Sequence, residues 1–272
     1  MSARLTPADV SPSPSTPPLK WAGGKRWQLR RLQSLWENHS HRRLVEPFCG
    51  GLSVALGLMP ERALVNDINP HLINFYRWLR RGLSVDIPFS NSKTYYYSRR
   101  RRFNELALNG GAKTAEAAAL FYYLNRTGYN GLCRFNQSGE FNVPFGRHKK
   151  LTYRSEFREY APIFRRWQFK AIDFGRLRID ESDFIYADPP YDVEFTKYWN
   201  GFDWGEQVRV AEWLAGHPGP VVLANQATPR IVALYESLGF DLMRLAGPRR
   251  ISCNGDRTPA DEVLALRNLQ PG

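Results

Sequence analysis

Four consecutive residues, Asp188-Pro189-Pro190-Tyr191, combine an acid, a rigid turn and an aromatic ring. The residues before them, 183–187, read as a short buried strand. Two prolines must end that strand, because proline lacks an N–H and has a fixed φ. Open α/β sheets bind ligands at the carboxyl ends of their parallel strands. The sequence therefore predicts a carboxylate and an aromatic ring at a ligand site.

This turn suits group transfer to the exocyclic amino group of a base, either adenine N6 or cytosine N4. Such a nitrogen is a poor nucleophile, because its lone pair is delocalised into the ring. The Asp188 carboxylate and the Pro189 carbonyl could each accept one N–H and so localise the lone pair, while Tyr191 could stack on the base. The alternative is a solvated aspartate on a proline-rich turn.

The composition is that of a globular, basic protein. The 272 residues are 43% hydrophobic and 14% aromatic, enough for one domain with an insertion or two small domains. A net charge of +12 indicates either a polyanionic partner or a charge that serves solubility. Nucleic acid is favoured over a membrane surface, because the basic residues are interleaved with Tyr, Phe and Asn. No apolar run reaches the roughly 20 residues that span a bilayer.

The cysteines and the N-terminus suggest a compartment. Cys49, Cys133 and Cys253 have no CxxC spacing, which favours buried free thiols in a reducing environment over a zinc site. The N-terminus lacks the apolar core of a signal peptide, so we expect a cytoplasmic protein. We also expect no metal, because the cysteine spacing is not that of a zinc site. Residues 1–17 are rich in Ser, Pro and Thr and predict a disordered tail.

The first half of the chain contains a nucleotide-type cradle. A strand at 44–45 leads through a Gly50-Gly51 turn into a helix over 52–58, and a second strand, 63–67, ends in Asp67. An acid there could bind two ribose hydroxyls, although Asp67 or Asn69 could instead cap a helix over 70–80.

The segment before the cradle carries a further candidate for anion binding. Gly23-Gly24-Lys25 could bring an ammonium group to an anion, or could simply begin a helix over 27–36 with a surface lysine.

The middle of the chain is polar and basic. Residues 86–118 predict helices and loops, and the cluster Arg99–Arg102 is either a solvated helix face or a phosphate contact. After a helix over 115–124, the pattern predicts a β-hairpin near 132–144. Its Arg and Asn side chains could read guanine and adenine, and its apolar groups a thymine methyl. A polar hairpin without that role is the alternative.

The last part of the chain returns to an α/β pattern. Residues 195–202 predict a mobile aromatic loop, and Arg249, Arg250 and Asn254 lie on a later loop. The other predicted elements are helix 155–161, strand 168–171, helix 204–215 with Asp203 as its cap, strand 220–224, helix 228–238, and antiparallel strands 240–245 and 262–266.

Four stretches together resemble one family. They are LKWAGGK, VEPFCGG with the Asn-Asp pair at 66–67, the run NRTGYNGLCRFNQSGEFNVPFGR, and DPPY. The chain resembles the DNA adenine methylase family, the D12 class of amino-methyltransferases, from about residue 18 onward. DPPY is shared with many amino-methyltransferases, whereas the long run is far more specific and points to enzymes acting on GATC.

The resemblance implies a doubly wound Rossmann-like methyltransferase sheet with an inserted helical and β-hairpin DNA-recognition domain. The implied catalytic domain covers 18–85 and 161–272, and the recognition domain covers 86–160. The implied cofactor is S-adenosylmethionine, with S-adenosylhomocysteine as product. The implied partner is double-stranded DNA with a flipped adenine, and we expect a monomer of bacterial or phage origin.

The family also implies roles for individual residues. The implied catalytic residues are Asp188, Pro189 and Tyr191. The implied cofactor contacts are Trp21, Lys25, Phe48, Gly50, Asp67 and Asp188. The positions that match base contacts are Lys20, Tyr129, Asn130, Leu132, Arg134 and Pro144. Those nearer the DNA backbone are Arg126, Asn136, Asn142 and Arg147.

The sequence departs from the family in the tail 1–17 and in a short segment at 192–197. Three other functions fit part of the pattern: N4-cytosine methylation, methylation of RNA or protein, and DNA binding without catalysis by the same fold.

Overall fold

The computed structural model describes residues 16–148, 153–192, 202–247 and 260–269. Within these ranges, seven strands form one sheet. They are β1 (Leu44–Glu46), β2 (Ala63–Asn66), β3 (Trp167–Lys170), β4 (Phe184–Ala187), β5 (Val221–Gln226), β6 (Asp241–Gly247) and β7 (Ala260–Arg267).

The strand order is β3-β2-β1-β4-β5-β7-β6. Strands β1 to β5 pair in parallel, and β7 pairs antiparallel with both β5 and β6. The chain winds outward from β1 to one edge and then returns to build the other half from β4. The doubly wound Rossmann-like sheet expected from the sequence is confirmed, and its switch point lies between β1 and β4, where such sheets bind ligands.

Eight α-helices accompany the sheet in the described residues. They are α1 (Leu29–Glu37), α2 (Ala55–Leu58), α3 (Pro70–Arg80), α4 (Lys93–Leu108), α5 (Ala115–Thr127), α6 (Tyr160–Phe164), α7 (Trp204–Ala215) and α8 (Pro229–Ser237).

The central strands are buried on both faces. In β4, Phe184 and Tyr186 belong to a core shared with α1, α3 and α5, whereas Ile185 and Ala187 belong to a second core under α7 and α8. This alternation follows from the two-residue period of a strand. Strand β4 is therefore held by helices on both sides, which fixes the residue that follows it.

Three predicted helices differ from the structure, and one of them, α5, continues to Thr127 and does not end at residue 124. Helix α2 begins at Ala55 rather than residue 52, because Leu52 adopts a left-handed φ of 59°. The predicted helix 155–161 is wrong in its first part: Ser155 O accepts a hydrogen bond from Val85 N at 2.8 Å, and helix α6 starts only at Tyr160.

The predicted hairpin is much shorter than expected. Between residues 132 and 144 a single antiparallel bridge joins Phe135 and Phe141. Beside it, Asn136 Oδ1 accepts from Glu140 N at 2.8 Å, so a side chain does what a ladder carbonyl would do. The segment is a turn closed by one bridge, not a two-stranded ladder.

The inserted helices share their core with the sheet domain. Phe75 of α3 stacks on Tyr122 of α5, with ring centroids 5.9 Å apart and planes 8° apart. The division into 18–85, 161–272 and 86–160 stays a prediction.

Several expectations fall on residues outside the described ranges. They concern residues 1–15 of the tail, 193–197 of the short segment, 195–201 of the aromatic loop, Cys253, Arg249, Arg250 and Asn254. Within the described ranges, no helix has the length and apolar character needed to cross a membrane.

Candidate active site

Asp188 follows β4 directly and reaches the switch point of the sheet. Its Oδ2 lies 3.0 Å from Lys25 Nζ, and its side chain is 20% exposed. Its Oδ1 is buried and has no hydrogen-bond partner among the described residues. Burial raises the pKa of Asp188, and the Lys25 ammonium opposes that shift. The site thus holds one acceptor paired with a cation and one acceptor left for a ligand.

Lys25 is fixed by several contacts. Its backbone N donates to Ser53 Oγ at 3.0 Å, and its Nζ donates to Gly23 O at 3.0 Å. The same ammonium lies 4.5 Å from the centroid of the Tyr191 ring, and the residue is only 4% exposed. The interpretation of Lys25 as a surface lysine is wrong, because its charge is buried against Asp188.

Tyr191 is held through its hydroxyl. The hydroxyl donates to Glu262 Oε2 at 2.7 Å, and Gln28 Nε2 donates to the same oxygen at 2.9 Å. Tyr186 of β4 donates to Gln28 Oε1 at 3.3 Å. The ring of Tyr191 is therefore oriented by a network that begins in β7.

A second network lies under the turn. Gln207 of α7 donates to Pro190 O at 2.7 Å. Asn225 of β5 donates through Nδ2 to Gln207 Oε1 and to the Tyr235 hydroxyl, both at 3.0 Å. These side chains are buried and hydrogen-bonded, so they rigidify the proline turn.

The glycine turn after β1 is tied to Asp67. Gly50 has a φ of 42°, and its N–H donates to Asp67 Oδ2 at 3.1 Å. Asp67 Oδ1 accepts from Asn69 N at 3.0 Å. Asn69 caps α3, with its Oδ1 accepting from His71 N and Leu72 N, so Asp67 is not the cap. Burial raises the pKa of Asp67 to about 6, although both backbone hydrogen bonds oppose that shift.

Two aromatic residues complete the cradle. Trp21 packs so closely on the glycine turn that a Cβ on Gly50 or Gly51 would meet it at 2.7 Å. Phe48 packs against Phe174, with ring centroids 5.3 Å apart. The structure therefore brings together all six predicted cofactor residues around the ends of β1, β2 and β4.

In the recognition segment, defined as residues 128–147, polar side chains bond one another. Arg134 Nε donates to Asn142 Oδ1 at 2.8 Å, and Asn136 Nδ2 donates to Glu140 Oε2 at 2.9 Å. The exposed members of the predicted DNA set are Lys20, Tyr129, Asn130, Arg134, Asn136, Pro144 and Arg147, and the partly buried members are Arg126, Leu132 and Asn142.

The arginine cluster on α4 is mostly engaged within the protein. Arg102 forms a bidentate pair with Glu116, at 2.7 and 2.9 Å. Arg100 donates to Val143 O at 3.1 Å, and Arg99 lies over the ring of Tyr95. These contacts brace the recognition segment and α5.

Comparison with known proteins decides the family. The model of the D12 class N6 adenine-specific DNA methyltransferases matches residues 21–251. The DNA adenine methylase of Vibrio cholerae is 38% identical over 270 residues, covering 91% of this chain and 94% of the relative. That of Salmonella typhi is 35% identical over 277 residues, covering 93% and 95%. The DNA N-6-adenine-methyltransferase of Escherichia phage P1 is 34% identical over 91% of this chain and 35% of its own length.

This chain belongs to the D12 class of adenine-specific DNA methyltransferases. The resemblance inferred from its motifs is confirmed, and so is the enzyme class. Family membership implies a methyl donor and a DNA substrate. The named relatives come from bacteria and a phage.

Sequence reasoning missed one acid of the methyltransferase site. Glu46, at the end of β1, is 2% exposed, and its Oε1 has no partner among the described residues. Burial raises its pKa to about 8, a hydrogen bond from the Ala55 backbone opposes the shift, and the Asp188 charge adds to it. The available signal was a lone acid between an apolar strand and a proline.

The two cysteines in the described ranges have no catalytic features. Burial raises the pKa of both thiols. Cys49 is a buried free thiol, as predicted, whereas Cys133 is only partly buried and its Sγ accepts from Asn69 Nδ2 at 3.2 Å. The described residues contain no group of three or more His, Cys, Asp or Glu side chains that could hold a metal.

Proposed function

We propose that this enzyme transfers a methyl group from S-adenosylmethionine to N6 of a flipped adenine in duplex DNA, within GATC. The observation that carries the proposal is the buried Oδ1 of Asp188, which lies at the switch point of the sheet and has no partner in the described part of the chain. A buried acceptor without a partner is costly unless a ligand supplies the donor. The amino group of a target adenine is such a donor.

The charge of the site fits the methyl donor. Two carboxyl groups, those of Asp188 and Glu262, interact with one ammonium group, that of Lys25. When bound, S-adenosylmethionine supplies an electrophilic methyl group on a positively charged sulfur. An excess of acids favours that cation, and the Asp67 carboxylate keeps free lone pairs for ribose hydroxyls.

The chain's own residues prepare the base for attack. Flipping an adenine out of the duplex costs a few kcal/mol, and stacking on the ring of Tyr191 offsets part of that cost. Asp188 Oδ1 and the Pro189 carbonyl each accept a hydrogen bond from one N6 N–H and so localise the lone pair. Asp188 need not remove a proton beforehand, since the amino group becomes acidic only as the methyl arrives; one N6 proton then leaves to Asp188 or to water, and S-adenosylhomocysteine is the leaving group.

The recognition segment supplies the sequence preference in this proposal. Arg134 can bond guanine O6 and N7, and Leu132 offers an apolar edge to a thymine methyl. Lys20, Tyr129, Asn130 and Pro144 complete the base-facing set. Arg126, Asn136, Asn142 and Arg147 lie nearer the phosphates. We expect a monomer acting in the cytoplasm, where the DNA is.

The test is methylation of a random duplex library with S-adenosylmethionine, read by sequencing that distinguishes modified adenine from modified cytosine. The expected product is N6-methyladenine confined to GATC. N4-methylcytosine, or an absence of methylation in the presence of DNA binding, would overturn the proposal. Methylation at a different adenine-containing site would overturn the GATC assignment alone.

A further inference from the structure

Asn125 lies near the end of α5 and is 1% exposed. Its Oδ1 accepts from Lys20 N at 2.9 Å, and its Nδ2 donates to Lys20 O at 2.8 Å. The amide thus pairs with both backbone groups of one residue, as a neighbouring strand would. This pairing fixes the main chain at Lys20.

The same side chain reaches the recognition segment. Asn125 Nδ2 also donates to Gly131 O at 3.3 Å. Gly131 lies so close to the N-terminal segment that a Cβ there would be 2.5 Å from Lys20 Cβ. One buried amide therefore joins the loop that carries the base-reading side chains to the segment that leads into the cofactor site.

The N-terminal segment continues this connection into the cradle. Trp21, the residue after Lys20, packs on the Gly50-Gly51 turn, and Lys25 pairs with Asp188. A shift of the main chain at Lys20 must move Trp21 or strain its packing, because closely packed side chains transmit displacement. Movement of the recognition loop on DNA would therefore change the cofactor cradle.

We propose that Asn125 is a positioning residue that couples binding of the methyl donor to binding of DNA. The inference rests on the proposed function, since it takes the cradle as the donor site and the recognition segment as the DNA site. Coupling between two ligands is reciprocal, so the donor tightens DNA binding by the same factor by which DNA tightens donor binding. Asn125 itself contacts neither ligand.

The experiment measures this factor with an unreactive ligand. Calorimetry gives the dissociation constant of S-adenosylhomocysteine alone, and again with a short duplex carrying the sequence methylated in the library experiment. The ratio of the two constants is the coupling factor. It is taken within one preparation, so a loss of folded protein does not change it, whereas a merely structural role would leave it at the wild-type value.

Two variants and a matched control make the test specific. Asn125→Ala removes all three hydrogen bonds. Asn125→Asp keeps the acceptor for Lys20 N but loses the Nδ2 donor to Lys20 O and Gly131 O. This second variant is used if Asn125→Ala does not fold. Asn74→Ala is the control: Asn74 is a buried asparagine whose Nδ2 donates to Thr114 O at 3.1 Å, a bond that includes no residue of the cradle or of the recognition segment.

For the wild type we expect a coupling factor of about fivefold or more. Asn125→Ala and Asn125→Asp should lower it by about twofold or more, and Asn74→Ala should not. A wild-type ratio of one, or variants with the wild-type ratio, would overturn the inference and leave the proposed function standing. Failure of the wild type to bind S-adenosylhomocysteine at all would overturn both.

Discussion

The catalytic turn and the recognition segment are built in opposite ways. Around the turn, Asp188, Lys25 and Tyr191 are held by an ion pair and by hydrogen bonds from distant parts of the chain. In the recognition segment, Arg134 bonds its neighbour Asn142, and the groups predicted to read bases are mostly exposed.

The catalytic site is preorganised for its ligands, whereas the recognition segment must exchange hydrogen bonds within the protein for hydrogen bonds to DNA. In the catalytic site an acceptor for the base is already in place, because Asp188 Oδ1 has no hydrogen-bond partner among the described residues. Arg134 can read a guanine bidentately only if it gives up the bond from its Nε to Asn142 or shares the guanidinium between both. We therefore expect chemistry to depend on the first region and discrimination between sequences on the second.

The largest expected effect comes from Asp188→Ala. Loss of the acceptor at N6 should lower the methyl-transfer rate by at least about a hundredfold, while DNA affinity stays at the wild-type level. The measurement pairs single-turnover methylation with a DNA-binding titration. Glu181→Ala, at an exposed acid on the turn before β4, is the matched control. If Asp188→Ala retained a tenth of the wild-type rate, methyl transfer would not depend on the Asp188 acceptor, and the contrast between the two regions would not hold.

The buried acid Glu46 should make stability depend on pH. Its pKa is raised from 4.5 to about 8 in the folded protein. Between these values the unfolded chain loses this proton and the folded chain keeps it, so the free energy of unfolding should fall as pH rises from about 4.5 to about 8.

The substitution Glu46→Gln sharpens this point. This variant keeps the shape of the side chain but cannot titrate. The fall in the free energy of unfolding across the window should therefore become smaller, by about 1.4 kcal/mol for each unit by which the pKa of Glu46 is raised. Denaturant titrations across the window measure it, with Glu181→Gln as the reference slope. An unchanged slope in Glu46→Gln would mean that the cradle does not hold a protonated acid.

On the recognition side, Arg134→Ala should relax the requirement at one guanine–cytosine pair of the site. The expected loss is roughly 1–3 kcal/mol of discrimination at that pair. Methylation rates on the site and on each single-pair substitution give the number. If Arg134→Ala slowed methylation of every duplex equally, Arg134 would contribute to binding without discriminating between base pairs.

The smallest expected effect is that of Arg147→Ala, an exposed residue with a left-handed φ of 47° at the end of the recognition segment. If it contacts only phosphate, its loss should weaken all sequences alike. The slope of log K against log salt should fall by about one unit. Binding titrations at several salt concentrations test this. An effect that depended on the DNA sequence would mean that Arg147 contacts bases as well as phosphates.

The sequence predicted the catalytic region more closely than the recognition segment, for local reasons. Two prolines end β4 at Ala187, and Asn69 with Pro70 begins α3, so the signals lie beside the elements that they define. The predicted hairpin is reduced to one bridge, beside which the Asn136 side chain, and not a backbone carbonyl, accepts the Glu140 N–H.

The supporting residues could not be predicted because their partners are far away in sequence. Tyr191 and Glu262 are 71 residues apart, Gln28 and Glu262 are 234 apart, and Lys20 and Asn125 are 105 apart. Only the strand order and the inserted helices bring them together.

The division of labour between the two regions has one direct test. Single-turnover methylation rates are measured on the site and on every single-pair substitution, for the wild type, Asp188→Asn and Arg134→Ala. We expect Asp188→Asn to lower all rates by one common factor and to leave their ratios unchanged, whereas Arg134→Ala changes the ratios at one pair. If Asp188→Asn altered the sequence profile, or if Arg134→Ala lowered all rates equally, the separation of chemistry from recognition would be wrong.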